Sequence, residues 1–175
     1  RWGVEHFDIN PGDRLSNHSR LTFDVALFDI FCTFFAGATV CPLVKPSDIM
    51  LPYDFIQRMN ITVWFSVPAV IAMLVRSRQL ASGPFMTLRA ALFAGEALPP
   101  ESVAAWREHQ GHIPLYNLYG PTEAAIVVTV HNVGIDAPFV PDRPVPIGIE
   151  TRDSELLILN MDNDNSTAVG ETGRL

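Results

Sequence analysis

Apolar residues along this chain fall into short runs separated by glycine, proline and polar clusters. Residues 1–20 are mixed and polar and read as a strand or loop entering the fold. Asp24 then opens an apolar stretch, Val25–Ala36, that Gly37 closes in the manner of a helix C-cap. The β-branched run Ala38-Thr39-Val40-Cys41-Pro42-Leu43 predicts a short strand. Residues 53–60 predict a helix, because Phe55, Ile56 and Met59 recur at near-helical spacing. Ile61-Thr62-Val63-Trp64-Phe65-Ser66 predicts a strand, and Pro68 suits the first turn of a helix that runs to about Leu80.

The alternation continues. A strand is predicted over 88–94 with a turn at Gly95, and a helix opens at Pro99-Pro100-Glu101 and runs to about Gln110. Strands are predicted over 113–118 and 126–133. A proline-rich connection, 138–146, leads to a last strand over 155–159 and a polar, turn-like segment over 160–167. Strands alternating with helices predict an α/β fold, a mostly parallel sheet covered by helices on both faces. Trp64, Trp106 and the Phe-rich helix are assigned to the core.

Composition narrows the class. The 175 residues fit about one domain; 48% are hydrophobic and 18% charged, with a net charge of −7 from 12 basic and 19 acidic residues. No basic cluster occurs, so nucleic acid is not an expected partner. Asp24 and Asp29 interrupt the longest apolar run, so no membrane span is expected. Cys32 and Cys41 lie in apolar stretches and read as buried hydrophobes rather than a disulfide or metal pair. With no signal-peptide pattern, the expected location is cytoplasmic. His109 and His112 flank a predicted helix end and read as structural.

The segment richest in chemistry is Asn117-Leu118-Tyr119-Gly120-Pro121-Thr122-Glu123, at the end of a predicted strand. Open α/β sheets gather ligands at the carboxyl ends of their strands. Gly120 and Pro121 make a tight turn that thrusts a hydroxyl and a carboxylate forward. A hydroxyl donates to phosphate, and a carboxylate beside it tolerates phosphate only with a cation between them, which is the coordination Mg²⁺ favours. The local chemistry equally allows Thr122 to cap a helical turn at Ala124-Ala125.

That segment matches the NxYGPTE motif of the adenylate-forming superfamily, in the form typical of its amino-acid-activating branch. Leu21-Thr22-Phe23-Asp24-Val25-Ala26, with Ala36-Gly37-Ala38-Thr39-Val40, resembles the family's FDxS…GAT segment, with Ala26 where serine is usual. Leu92-Phe93-Ala94-Gly95-Glu96-Ala97-Leu98-Pro99 is similar to the loop bordering adenine. Val145-Pro146-Ile147-Gly148 resembles the PIG turn, and Gly170-Glu171-Thr172-Gly173-Arg174-Leu175 resembles GExGEL, with Arg174 where Glu is usual. These matches run in family order from about Asp13 to Leu175.

The resemblance implies ATP and Mg²⁺ as cofactors. It implies that Tyr119 packs against adenine with Asn117 at its edge, beside Gly120, Gly95, Glu96 and Ala97. Thr122 would contact the α-phosphate and Glu123 would bind Mg²⁺, and these two are the implied catalytic residues. Asp24 would pair with a substrate ammonium, although Asp is also a common helix N-cap. Glu96 is equally readable as a first-turn helix acid. The side-chain pocket would be lined by Val25, Phe28, Phe65, Leu92, Ala94, Leu118, Ile126 and Val127.

A lone carboxylate facing an apolar acid would be costly, so Asp24 favours an amino-acid substrate over a fatty or aryl acid. The bulky apolar lining predicts a small apolar side chain, such as that of alanine or proline. The resemblance is nearest to D-alanine:carrier-protein ligases and prolyl-activating enzymes, and also takes in nonribosomal peptide synthetase modules. It implies a carrier-protein thiol as the acceptor. Alternatives are an acyl-CoA synthetase-type ligase and a non-catalytic nucleotide-binding module; no GxGxxG supports a dehydrogenase. The family's phosphate loop is expected upstream and its lid domain downstream. Residues 1–175 are accordingly expected to be the second α/β subdomain of the large N-terminal domain, and inactive alone.

Overall fold

The computed structural model describes residues 1–124, 126–136, 138–161, 163, 165–168 and 170–175. Seven strands form one sheet among these residues: β1 (Arg14–Asn17), β2 (Thr39–Pro42), β3 (Val63–Ser66), β4 (Ala90–Phe93), β5 (Leu115–Tyr119), β6 (Thr129–Asn132) and β7 (Ile149–Glu150). Their spatial order is β2-β1-β3-β4-β5-β6-β7. The pairings from β2 through β5 are parallel, whereas β5–β6 and β6–β7 are antiparallel. The helices are α1 (Trp2–His6), α2 (Val25–Ala36), α3 (Pro46–Met50), α4 (Pro52–Arg58), α5 (Ala69–Arg76) and α6 (Pro100–Gln110). The expected α/β class holds.

The central strands are buried on both faces, as parallel strands between helix layers must be. Strict alternation splits their side chains into two cores. Trp64, Ala91, Phe93 and Leu115 pack with α4, α5 and α6, where the Trp106 ring lies 5.9 Å from Phe85 and 5.7 Å from Phe93. Val63, Phe65, Ala90, Leu92 and Leu118 pack on the other face with α2 and Phe7. Asp13 and Arg89 tie the N-terminal segment beneath the sheet, with contacts of 2.6 and 2.9 Å between them.

Several expectations need correction. The strand expected within residues 1–20 forms as β1, but the opening of the chain also holds helix α1, braced by the Arg1–Glu5 pair one turn apart at 2.7 Å. The strand expected over 155–159 does not form, and Leu159 makes only isolated bridges to Ser166 and Arg174. The outer strand is instead β7, because Gly148 lets the chain run against the backbone of β6 at Val130. Helix α5 stops at Arg76 rather than near Leu80: Arg78 turns left-handed at φ 58, and the Leu80 amide returns to the Leu74 carbonyl.

The Phe-rich helix α2 is only half core. Phe28 is buried, whereas Phe31, Phe34 and Phe35 are 64%, 69% and 65% exposed. A helix apolar all round must leave one face outward when a single sheet covers the other. Gly37, at φ 69, caps α2 as expected. Cys32 and Cys41 are buried and free, and His109 and His112 are exposed at the end of α6.

Candidate active site

At the carboxyl ends of β4 and β5, a cavity of about 320 Å³ opens between Gly95, Glu96, Ala97, Leu98, Asn117, Leu118, Tyr119, Gly120, Val145 and Ile147. Its volume lies near the lower end of the usual range for small-molecule sites, roughly 300–1,000 Å³. All six residues expected around adenine are in this wall. Gly95 takes φ 92, a conformation that side chains disfavour, and brings its backbone to the cavity without a side chain. Gly120 is required by contact rather than by angle. A β-carbon there would lie 2.6 Å from the Ile126 carbonyl carbon and 2.8 Å from the Val127 nitrogen.

Two wall residues have structural partners. Buried Asn117 donates from Nδ2 to the Pro146 carbonyl at 2.8 Å, which holds the 145–148 segment over the cavity. Glu96 accepts the Ala69 amide at 2.6 Å, capping α5 from outside that helix. Its reading as a first-turn acid of the following helix is therefore corrected: the helix it serves is the preceding one, α5 rather than α6. Leu98, Val145 and Ile147 were not expected in the wall, and Leu118 was expected in the side-chain pocket instead; the PIG resemblance was the signal that pointed to Val145 and Ile147.

Thr122 and Glu123 follow this wall on an exposed 3₁₀ turn, Thr122–Ala124, closed by the Ala124 amide on the Pro121 carbonyl at 3.0 Å. Thr122 thus lies inside a turn, and neither side chain has a hydrogen bond or ion pair among the described residues. Part of the alternative cap reading, at Ala125, lies outside those residues. No three His, Cys, Asp or Glu side chains converge on one point among the described residues.

Asp24 precedes α2 but does not cap it. Its backbone is helical, at φ −61 and ψ −28, and its carboxylate makes no cap hydrogen bond. Both oxygens are thereby left for a partner beyond the helix. Nearby Asp29 was not anticipated as notable, since its polarity within an apolar run was read only as an interruption. It is buried on the sheet side of α2, and burial pushes its carboxyl well above the usual range despite the Asn17 amide 3.3 Å away.

The residues expected to line the side-chain pocket do come together. Val25, Phe28, Phe65, Leu92, Ala94, Leu118 and Val127 belong to one packed cluster, with Ile126 against it. Leu92 and Phe65 are 0% and 1% exposed, and the Phe28 ring stands edge-on to Phe65 at 5.1 Å. Ile126 holds φ 80, unusual for a β-branched residue and costing on the order of 1–3 kcal/mol. Phe28, Ile126 and Val127 also line a cavity of about 330 Å³ with Trp2, Gly3 and Cys32. Burial pushes the Cys32 thiol up to about 12, so it packs as an inert apolar group.

Comparison with known proteins fits this arrangement. The AMP-binding enzyme family matches residues 2–175. An L-proline–[L-prolyl-carrier protein] ligase of Pseudomonas fluorescens is 37% identical over 99% of this chain and 35% of its own length. A D-alanine–D-alanyl carrier protein ligase of Bacillus cytotoxicus is 27% identical over 100% of this chain and 35% of its own length. Among solved structures, the Vibrio cholerae adenylation domain AlmE in complex with glycyl-adenosine-5'-phosphate aligns with a TM-score of 0.78. It shares 34% identity and covers 91% of this chain and 29% of its own. The chain thus spans about a third of the length of the curated relatives it matches. With three of its motif-like segments, around Gly95, residues 117–120 and residues 145–147, gathered at the carboxyl ends of β4 and β5, the chain belongs to the AMP-binding enzymes.

Proposed function

We propose that the whole protein uses ATP to activate a small apolar amino acid as its aminoacyl-AMP and passes it to the thiol of a carrier protein. The observation that carries this reading is the pairing of two sites on one sheet. One is a cavity bordered by Gly95, Asn117, Tyr119 and Gly120; the other is an apolar cluster around Phe28, Phe65 and Leu92, with a cavity beside Phe28. Carrier-protein ligases for proline and D-alanine, both small, are among the relatives, which supports the acceptor and the substrate size.

In this reading Tyr119 packs on adenine, Asn117 and the Gly95-Glu96-Ala97 backbone border it, and Thr122 donates to the α-phosphate. Glu123 would hold Mg²⁺, which supplies neutralisation of phosphate charge. Asp24, uncommitted to capping, accepts the amino-acid ammonium through charge-assisted hydrogen bonds. Orientation is the main service of these residues: a carboxylate oxygen attacks the α-phosphorus and pyrophosphate leaves. The carrier thiol then attacks the activated carbonyl and AMP departs.

Amino-acid-dependent ATP–pyrophosphate exchange by the whole protein tests the reading. The panel comprises glycine, both alanine enantiomers, proline, leucine, phenylalanine, a fatty acid and an aryl acid. Exchange concentrated on the small amino acids is expected. Strongest exchange with the fatty or aryl acid, or none with any acid, would sink it.

A further inference from the structure

Gly3 stands where α1 meets α2. A β-carbon there would lie 2.6 Å from Cε2 and 2.7 Å from Cζ of Phe28, and 3.1 Å from the Cys32 sulfur. Non-bonded carbons sit comfortably at about 3.5–4.0 Å, so one side has to give. Helix α1 is the firmer side. Glu5 is held by Arg1 and Arg152, each at 2.7 Å, and the Phe7 carbonyl accepts from Arg89 at 2.8 Å. The Phe7 ring also stands edge-on to Tyr116 at 5.0 Å. The Phe28 atoms that would be struck are the outermost of its ring, which stands edge-on to Phe7 at 6.2 Å and to Phe65 at 5.1 Å and moves by turning about its side-chain bonds.

We propose that Gly3 is a specificity-determining position: by lacking a side chain it lets the Phe28 ring lie back against α1, and so sets the room left for the substrate side chain. The inference rests on the reading of Phe28 as a wall of the amino-acid pocket. Gly3, Phe28, Ile126 and Val127 line one cavity, and Phe65 stands at the ring's edge. A methyl group at position 3 tilts the ring away from α1 toward these neighbours and narrows the pocket. Its effect is transmitted through the ring.

The test uses the whole protein and the smaller and larger of two amino acids that it activates, comparing kcat/KM in ATP–pyrophosphate exchange. Gly3→Ala is expected to raise the preference for the smaller one about tenfold, the scale of one methylene in a tight pocket, with KM for ATP unchanged. Adding Phe28→Leu, which removes the struck ring atoms, should return the preference to the parent's. Phe28→Ala alone should shift preference toward the larger substrate. Should Phe28→Ala leave the preference unaltered, the pocket reading fails. If it shifts the preference while Gly3→Ala does not, only the role of Gly3 is overturned. Should Gly3→Ala fold poorly, the double variant decides: a soluble enzyme with the parent's preference supports the role, and one without it refutes the role.

Discussion

The side-chain amide of Asn117, near the end of β5, donates to the carbonyl oxygen of Pro146, twenty-nine residues further along, at 2.8 Å. That bond joins the floor of the proposed adenine cavity to the segment that covers it. Asn117→Ala removes the donor; Pro146 is exposed, so water can take the donor's place and the loss is that of an ordinary hydrogen bond, about 0.5–1.5 kcal/mol. Calorimetric titration of the whole protein should show ATP binding weakened about tenfold, with KM for the amino acid unchanged. Asn117→Asp should be worse than alanine, because a buried carboxylate would face a carbonyl oxygen.

Glu96 caps α5 by accepting the Ala69 amide at 2.6 Å. Glu96→Ala should destabilise the protein by about 1 kcal/mol, the usual cost of losing a helix cap. Glu96→Gln keeps the acceptor oxygen and should recover most of the loss. Urea unfolding of the three proteins makes the comparison. Equal loss in both variants would show that the charge near the helix terminus matters more than the bond.

Asp24 and Glu123 should fail in different ways. Asp24→Asn removes the anion proposed to meet the ammonium; charged hydrogen bonds contribute about 1.5–3 kcal/mol, so KM for the amino acid should rise about 10- to 100-fold. KM for ATP should stay within about twofold, because only the amino acid meets this carboxylate. Glu123→Gln should instead raise the Mg²⁺ concentration needed for half-maximal exchange. Steady-state kinetics varying each reactant in turn separates the two patterns. A matching rise in both KM values for Asp24→Asn would argue for a structural role.

Burial holds His6, His18 and His131 below the ordinary histidine value. For His6 and His131, Asp136 opposes the shift without reversing it. Unfolded, each binds its proton near about pH 6.5; folded, only at lower pH. The unfolded state therefore binds more protons in that interval, and stability falls as pH drops from about 6.5 toward the folded values. Below those values these groups cause no further loss. Thermal unfolding from pH 8 to pH 5 should show the decline. His18→Phe should flatten it, since the His18 ring packs 5.3 Å from Trp64 and its buried Nε2 has no partner among the described residues.

Much of the fold was legible because its signals are local. The β-branched run around Trp64, the Pro68 and Pro100 helix starts and Gly37 each report the conformation of a few adjacent residues. The turn at Gly120 and Pro121 is local in the same sense. Helix α1 was illegible because five residues give too little periodicity, and its bracing includes Arg152, far along the chain. The two residues of β7 likewise become a strand only by pairing with β6.

By itself, then, the sequence determined the alternation of strands and helices, the buried character of the central strands and the residues that carry the adenylate-forming motifs. Tertiary structure decided which helix Glu96 caps, which face of α2 is buried, and that Gly3 abuts the Phe28 ring. Backbone preference and periodicity act between neighbours in the chain. Contacts between residues twenty-five or more positions apart exist only once the sheet has brought the elements together.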